Sequence, residues 1–281
     1  MMNDAPALWR IEPARSDGPP TMPLIVNVPH AGTYLPPSIA GILAPAGIGV
    51  PDTDWHVEKL YDFVPAMGVT LMVATHSRIA VDLNRDPSGD PLYPGASNTG
   101  VCPTATFADE PIYLTDSVPD QAEITARVER YWLPYHRQLT TEIARLKAHH
   151  GFCILLDAHS IVSAVPRFFA GRLPDLNLGT VDGNSCEPSL ALAAIKVLSQ
   201  ADGFTAVHNG RFKGGYITRQ YGRPENNVYA LQLEMSQRCY MDETIPHHYD
   251  ESRAAKLTAL LKALVGQLLK WQPAPGAQAG K

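Results

Sequence analysis

A chain of 281 residues with 45% hydrophobic content can bury a full core, and its size fits one domain, placed at residues 1–272 with a disordered tail over 273–281. A formal charge of -5 without a run of Lys or Arg excludes a general nucleic-acid or membrane-surface binder, yet leaves room for an anionic small molecule met by locally focused arginines. The start has no basic region followed by an apolar stretch, and no later segment approaches about 18 uninterrupted apolar residues, so a soluble, cytoplasmic protein is expected.

In chain order, the first predicted element is a strand over 24–29, which leads into His30 within VPHAG. DTD at 52–54 precedes a helical pattern over 55–67 with apolar Val57, Leu60, Tyr61 and Val64. Strands follow over 69–75 and 79–83. The Pro, Gly, Ser and Asn content of 86–119 reads as a long ordered loop placed to cover a crevice. A helical pattern over 120–149 contains Pro134, a kink or a break. The strand over 152–157 leads into His159 within DAHS. A helix over 187–198, strands over 204–208 and 229–234, and a helix over 252–271 with a leucine stripe complete the set. This alternation predicts an α/β fold of three layers, α/β/α, around a central sheet that is mostly parallel or mixed.

Two imidazoles and a carboxylate at strand ends can converge in one crevice of such a sheet. Zinc hydrolases commonly use two His and one carboxylate and keep a fourth position for water. His30 and His159 are the best pair; the eight other histidines read as surface or hydrogen-bonded core residues. For the third ligand Asp54 is preferred over Asp52, and a helix N-cap is the competing explanation for either. Glu234 closes the apolar run over 229–234, where an unpartnered carboxylate is costly. It is either a general base or the partner of an arginine. Cys102, Cys153, Cys186 and Cys239 are widely spaced and form no CxxC pair, which fits ordinary thiols.

Arginines are concentrated near two predicted strand ends. SRIAVDLNR carries Arg78, Asn84 and Arg85, and NGRFKGGYITR carries Arg211 and Arg219. Guanidinium groups match carboxylates bidentately, so these segments point to an anionic small-molecule substrate. Gly214 and Gly215 let the backbone approach a ligand, or make a turn. Asp82 is expected to anchor an arginine.

VPHAGTYLP, DTDWHVEKLYDF, SRIAVDLNRD, PLYPGA, LLDAHSI, FKGGYITRQYG and LQLEMSQRCYMDE, in this order from about Leu24 to the last helix, resemble the N-formylglutamate amidohydrolase (deformylase) family. The resemblance implies a fold similar to zinc-dependent exopeptidases, with one Zn2+ per chain. It implies His30, Asp54 and His159 as metal ligands and Glu234 as the catalytic carboxylate. The SR…DLNR segment also resembles aspartoacylase, which implies Arg78 as an electrophilic helper and Asn84 and Arg85 as substrate anchors. One or both of Arg211 and Arg219, with Arg219 preferred, would hold the glutamyl carboxylates together with Arg85. Unlike carboxypeptidase-like enzymes, where the carboxylate ligand follows the first histidine by three positions, Asp54 follows His30 by 24. The implied reaction is hydrolysis of N-formyl-L-glutamate to formate and L-glutamate, the last step of one route of histidine degradation. Competing readings are a deacylase of another N-acyl acidic amino acid and a zinc peptidase or amidase of the same fold. A nucleophilic amidase would lack a GxSxG elbow, and a binding protein for acidic amino acids would leave the histidines and Glu234 unused.

Overall fold

Alternate residues of the apolar runs point to opposite faces of one mixed sheet, as strand geometry requires. The computed structural model describes residues 5–12, 22–90 and 99–274. Its strands are β1 (Trp9–Glu12), β2 (Leu24–Val28), β3 (Thr70–Ala74), β4 (Cys153–Ile161), β5 (Leu176–Gly179), β6 (Ala206–His208) and β7 (Val228–Ser236), in the order β1-β3-β2-β4-β7-β5-β6. The centre, β3-β2-β4-β7, is parallel. β1 runs antiparallel to β3 and β5 antiparallel to β7, while β6 is parallel to β5.

The helices are α1 (Pro37–Ala40), α2 (Pro45–Ile48), α3 (Val57–Leu60), α4 (Gln121–Arg127), α5 (Leu133–His150), α6 (Pro188–Ser199), α7 (Tyr216–Tyr221) and α8 (Glu251–Leu268). Leu24, Val26, Val28, Ile154, Leu156, Leu231 and Leu233 face one core with α3, α6 and α8. Ile25, Met72, Cys153, Leu155 and Ala230 face the other with α5 and α7. This is the expected three-layer α/β/α fold. Asp250 caps α8 by accepting the Arg253 amide at 2.9 Å, and Leu257, Leu261, Leu264 and Leu268 of the predicted stripe are buried. No helix among the described residues is long and apolar enough to cross a membrane.

Several elements differ from expectation. The 79–83 run is a turn, because Asp82 accepts the Asn84 amide at 2.9 Å and its own amide bonds to Val101 O at 2.7 Å. Local side-chain bonding of this kind competes with a ladder. The 55–67 helix shrinks to α3 and a 3₁₀ turn at Pro65–Met67, since His56 has φ 63° and Pro65 cannot continue a helix. Around Pro134 the chain does not break: helical backbone continues through a π-type turn over Val128–Trp132 that joins α4 to α5, with Pro134 in the first turn of α5. β1, β5 and α7 were not expected. β4 and β7 run past the predicted ends, so His159 and Glu234 lie inside strands. PLYPGA, at 91–96, and residues 275–281 of the tail lie outside the described residues.

β2 connects onward to β3 on one side, whereas β4 connects toward β7 on the other. The carboxyl ends of β2 and β4 therefore form the switch point at which open α/β sheets place their ligands.

Candidate active site

His30 follows β2 directly, and the chain returns to it after a long excursion, with the Asp54 amide donating to His30 O at 3.1 Å. This bond explains how residues 24 apart in sequence meet. Gly32 permits the turn: a Cβ there would lie 2.4 Å from His76 O. Asp54 does not cap a helix. Its Oδ2 lies 3.0 Å from His159 Nδ1, accepts the Ser160 amide at 3.1 Å, and lies 3.8 Å from His30 Nδ1. His30, Asp54 and His159 are all buried, and one ligand atom from each falls within 4.8 Å of the others. Asp52 points elsewhere, with Oδ2 accepting the Phe107 amide at 3.0 Å.

Each imidazole is oriented by a second carboxylate. His30 Nε2 lies 2.8 Å from Asp82 Oδ1, and His159 Nε2 lies 2.9 Å from Asp157 Oδ2. A proton shared at each Nε2 leaves both Nδ1 atoms directed at Asp54, the arrangement in which outer carboxylates fix metal-binding imidazoles. The donor set, two nitrogens and one oxygen at this spacing, fits a small divalent cation with an open position. Burial opposes charge on His159, but Asp157 and Asp54 outweigh it and hold its pKa well above the usual imidazole value. Burial and Arg78 lower that of His30.

Arg78 donates to Asp82 Oδ2 at 2.5 Å and lies 3.8 Å from Asp54 Oδ1. Asp82 thus anchors an arginine, as expected, and a histidine as well. Burial works against the Arg78 charge, yet Asp82 and Asp54 raise its pKa overall. Glu234 is the register partner of His159 across β4 and β7. Its carboxylate accepts from Gln232 Nε2 at 3.4 Å and, among the described residues, makes no ion pair with an arginine. Burial pushes its pKa up to about 8.

One cavity is lined by His30, Asp54, His159, Glu234, Arg78, Asn84, Arg85, Arg211 and Gly215. It opens to solvent at its mouth, and its concave wall of buried polar and charged groups suits a small molecule. Asn84 Oδ1 accepts the Ile217 amide at 2.8 Å, and Asn84 Nδ2 lies 3.1 Å from His159 Nε2. A Cβ on Gly215 would sit 2.2 Å from Asn84 Nδ2, so only glycine allows this loop to meet Asn84. Arg85 Nε donates to Thr99 O at 3.1 Å, and Arg211 Nε to Phe168 O at 3.0 Å. Gly214 and Arg219 do not line the cavity. Arg219 lies in α7 with its Nε donating to Gly214 O at 3.0 Å, so of the two candidate arginines it is Arg211 that lines the wall.

The family model described as N-formylglutamate amidohydrolase matches residues 22–241. A Pseudomonas aeruginosa protein named N-formylglutamate deformylase is 45% identical over 89% of this chain and 94% of its own length. Its Pseudomonas putida counterpart is 43% identical over 89% and 93%. The chain belongs to the N-formylglutamate amidohydrolase family. It is accordingly a hydrolase. The crystal structure of N-formylglutamate amidohydrolase from Ralstonia eutropha JMP134 superposes with a TM-score of 0.76 at 31% identity, covering 92% of this chain and 98% of that one. Gene product Atu2144 of Agrobacterium tumefaciens, 17% identical over 93% and 94% with a TM-score of 0.68, shares the fold.

For this N-formylglutamate amidohydrolase family member, sequence reasoning missed Asp157, Gln232 and three phenylalanines, Phe107, Phe168 and Phe212, on the cavity wall. Asp157 and Gln232 were findable: each stands two residues before a strand residue already singled out, hence on the same face. The phenylalanines come from loops and carry no such signal.

Proposed function

We propose that this hydrolase cleaves N-formyl-L-glutamate to formate and L-glutamate, using one divalent metal ion, Zn2+, held by His30, Asp54 and His159. The observation that carries the reading is the convergence of that donor group with buried Glu234 and three arginines in one cavity. The names of relatives at 43–45% identity support the substrate. When bound, the metal supplies Lewis acidity that polarises the formyl oxygen and makes water more acidic.

The chain's own groups do the rest. Arg85 and Arg211, with Asn84, hold the two carboxylates of the glutamyl group and so orient the formamide toward Glu234. Arg219 supports Gly214 from behind rather than touching substrate. Glu234 removes a proton from the attacking water as its oxygen adds to the formyl carbon. Arg78 faces the developing oxyanion, an interaction commonly worth about 3 kcal/mol. Glu234 then delivers the proton to the leaving nitrogen as the C–N bond breaks, giving the amine of L-glutamate and formate. By the same family reading, the reaction closes one route of histidine degradation in the cytoplasm.

Formate release from N-formyl-L-glutamate, measured before chelation, after it and with zinc restored, tests the reading. Activity lost on chelation and regained with zinc is expected. A metal-replete protein that releases no formate overturns the substrate assignment, and other N-acyl acidic amino acids then form the next panel.

A further inference from the structure

Phe107, Phe168 and Phe212 reach the cavity wall from three separate loops. They belong to a small apolar cluster with Ile161, Val165 and Leu173 that is distinct from the two cores flanking the sheet. The proposed chemistry does not use them, and a substrate with two carboxylates offers little apolar surface for three rings. Their placement is uneven. The Phe107 ring centre lies 5.0 Å from Arg78 Cζ and 5.1 Å from the Phe168 ring, edge to face. Phe212 instead lies beside Arg211, with Cζ 5.8 Å from its ring centre. Phe107 therefore marks the reacting end of the cavity and Phe212 an anchoring end.

The turn that carries Phe107 is tied down on both sides. Its amide donates to Asp52 Oδ2 at 3.0 Å, and the neighbouring Thr106 O accepts from Arg167 Nη1 at 2.7 Å. Arg167 also pairs with Asp109 at 3.0 Å. Asp52 is two residues from Asp54, so the ring is set relative to the same loop that carries the candidate metal ligand. A ring seated on a guanidinium, backed by a second ring and fixed through its own backbone, cannot swing aside without losing these contacts.

We propose that Phe107, backed by Phe168 and positioned by Asp52, is the wall that limits the acyl group to formyl. This rests on the deformylase reading, in which the scissile carbonyl lies at Arg78. The acyl carbon of a formamide bears only hydrogen on the side that meets the ring, whereas an acetamide would press a methyl against it. Such a pocket discriminates one carbon by roughly 10–200-fold. The wall also accounts for Asp52, a carboxylate close to the donor group that is not part of it.

The test compares kcat/KM for N-formyl-, N-acetyl- and N-propionyl-L-glutamate on the zinc-loaded wild type and on Phe107→Ala, Phe107→Leu, Phe212→Ala and Asp52→Ala. The formyl-over-acetyl ratio is expected to fall about tenfold or more in Phe107→Ala. Phe107→Leu should fall between, and it carries the test if the alanine variant does not fold. Asp52→Ala should shift the ratio the same way while retaining zinc by metal analysis, and Phe212→Ala should leave the ratio unchanged. Hydrolysis of the formyl substrate with an unmoved ratio in both Phe107 variants sinks the wall alone. So does an equal shift in Phe212→Ala. A wild type inactive on all three substrates sinks the deformylase reading and the wall with it.

Discussion

Glu234 and Asp54 are both buried carboxylates within one cavity, yet their surroundings separate them. Among the described residues the Glu234 carboxylate accepts a hydrogen bond only from Gln232, and burial pushes its pKa up to about 8, so it can carry a proton near neutral pH. Asp54 is surrounded by two imidazoles, a backbone amide and Arg78. Glu234→Gln is therefore expected to lower kcat by about 10²–10⁴ while leaving metal content intact. Loss of metal in that variant would instead make Glu234 a ligand. Asp54→Ala should fail to retain zinc through dialysis; full retention would remove Asp54 from the donor set. The sequence singled out Glu234 because a carboxylate is costly in an apolar run, and Asp54 as a third-ligand candidate just before a helical pattern. It favoured Asp54 over Asp52 but could not show where they point: two positions apart, they face His159 and the Phe107 amide respectively.

At the scale of elements, the site depends on how helices brace loops. His136 of α5 is buried, stacks on Trp132 with ring centres 3.7 Å apart, and reaches Leu83 O with Nε2 at 2.9 Å. A carbonyl only accepts, so Nε2 carries the proton and donates. This bond holds the turn that presents Asp82, Asn84 and Arg85. Burial lowers the His136 pKa to about 4, against 6.5 in an unfolded chain. The unfolded state therefore binds the extra proton between those values. The contribution is complete above pH 6.5 and is lost as pH falls toward 4, amounting to about 3 kcal/mol at most. Denaturant midpoints should decline less steeply over this window in His136→Gln than in wild type. Parallel declines would show that His136 is not the group responsible. None of this was legible from the sequence, where His136 was one of eight histidines with no distinguishing setting. The 79–83 run was misread for a related reason: Ile79, Ala80 and Val81 look like a strand, and only the partners of Asp82 reveal a turn.

At the scale of the molecule, the candidate donor group draws on the end of β2, the loop after α2 and β4, so an ion held there would link distant parts of the chain. A cation that binds only the folded state at 100 times its dissociation constant adds about 2.7 kcal/mol, on the order of 5 °C in Tm for a chain of this size. Thermal scans of chelated and zinc-restored protein should differ by that much in wild type and not in Asp54→Ala. Equal transitions in the wild type would argue against a site at this position.

What the sequence by itself determined is local and periodic. Short continuous apolar runs marked the buried strands, and polar residues closing those runs pointed to His30, His159 and Glu234, because an open α/β sheet carries such groups to the carboxyl ends of its strands whatever the loops do. What only the tertiary structure decided is set by contacts between segments distant in sequence. The return of the chain to His30 O brought Asp54 and not Asp52 against the two histidines, the cavity wall took Arg211 and left Arg219 in α7, and three loops brought phenylalanines beside the arginines. Loop positions depend on docking against a finished core, and no spacing within the loop encodes where that core will be.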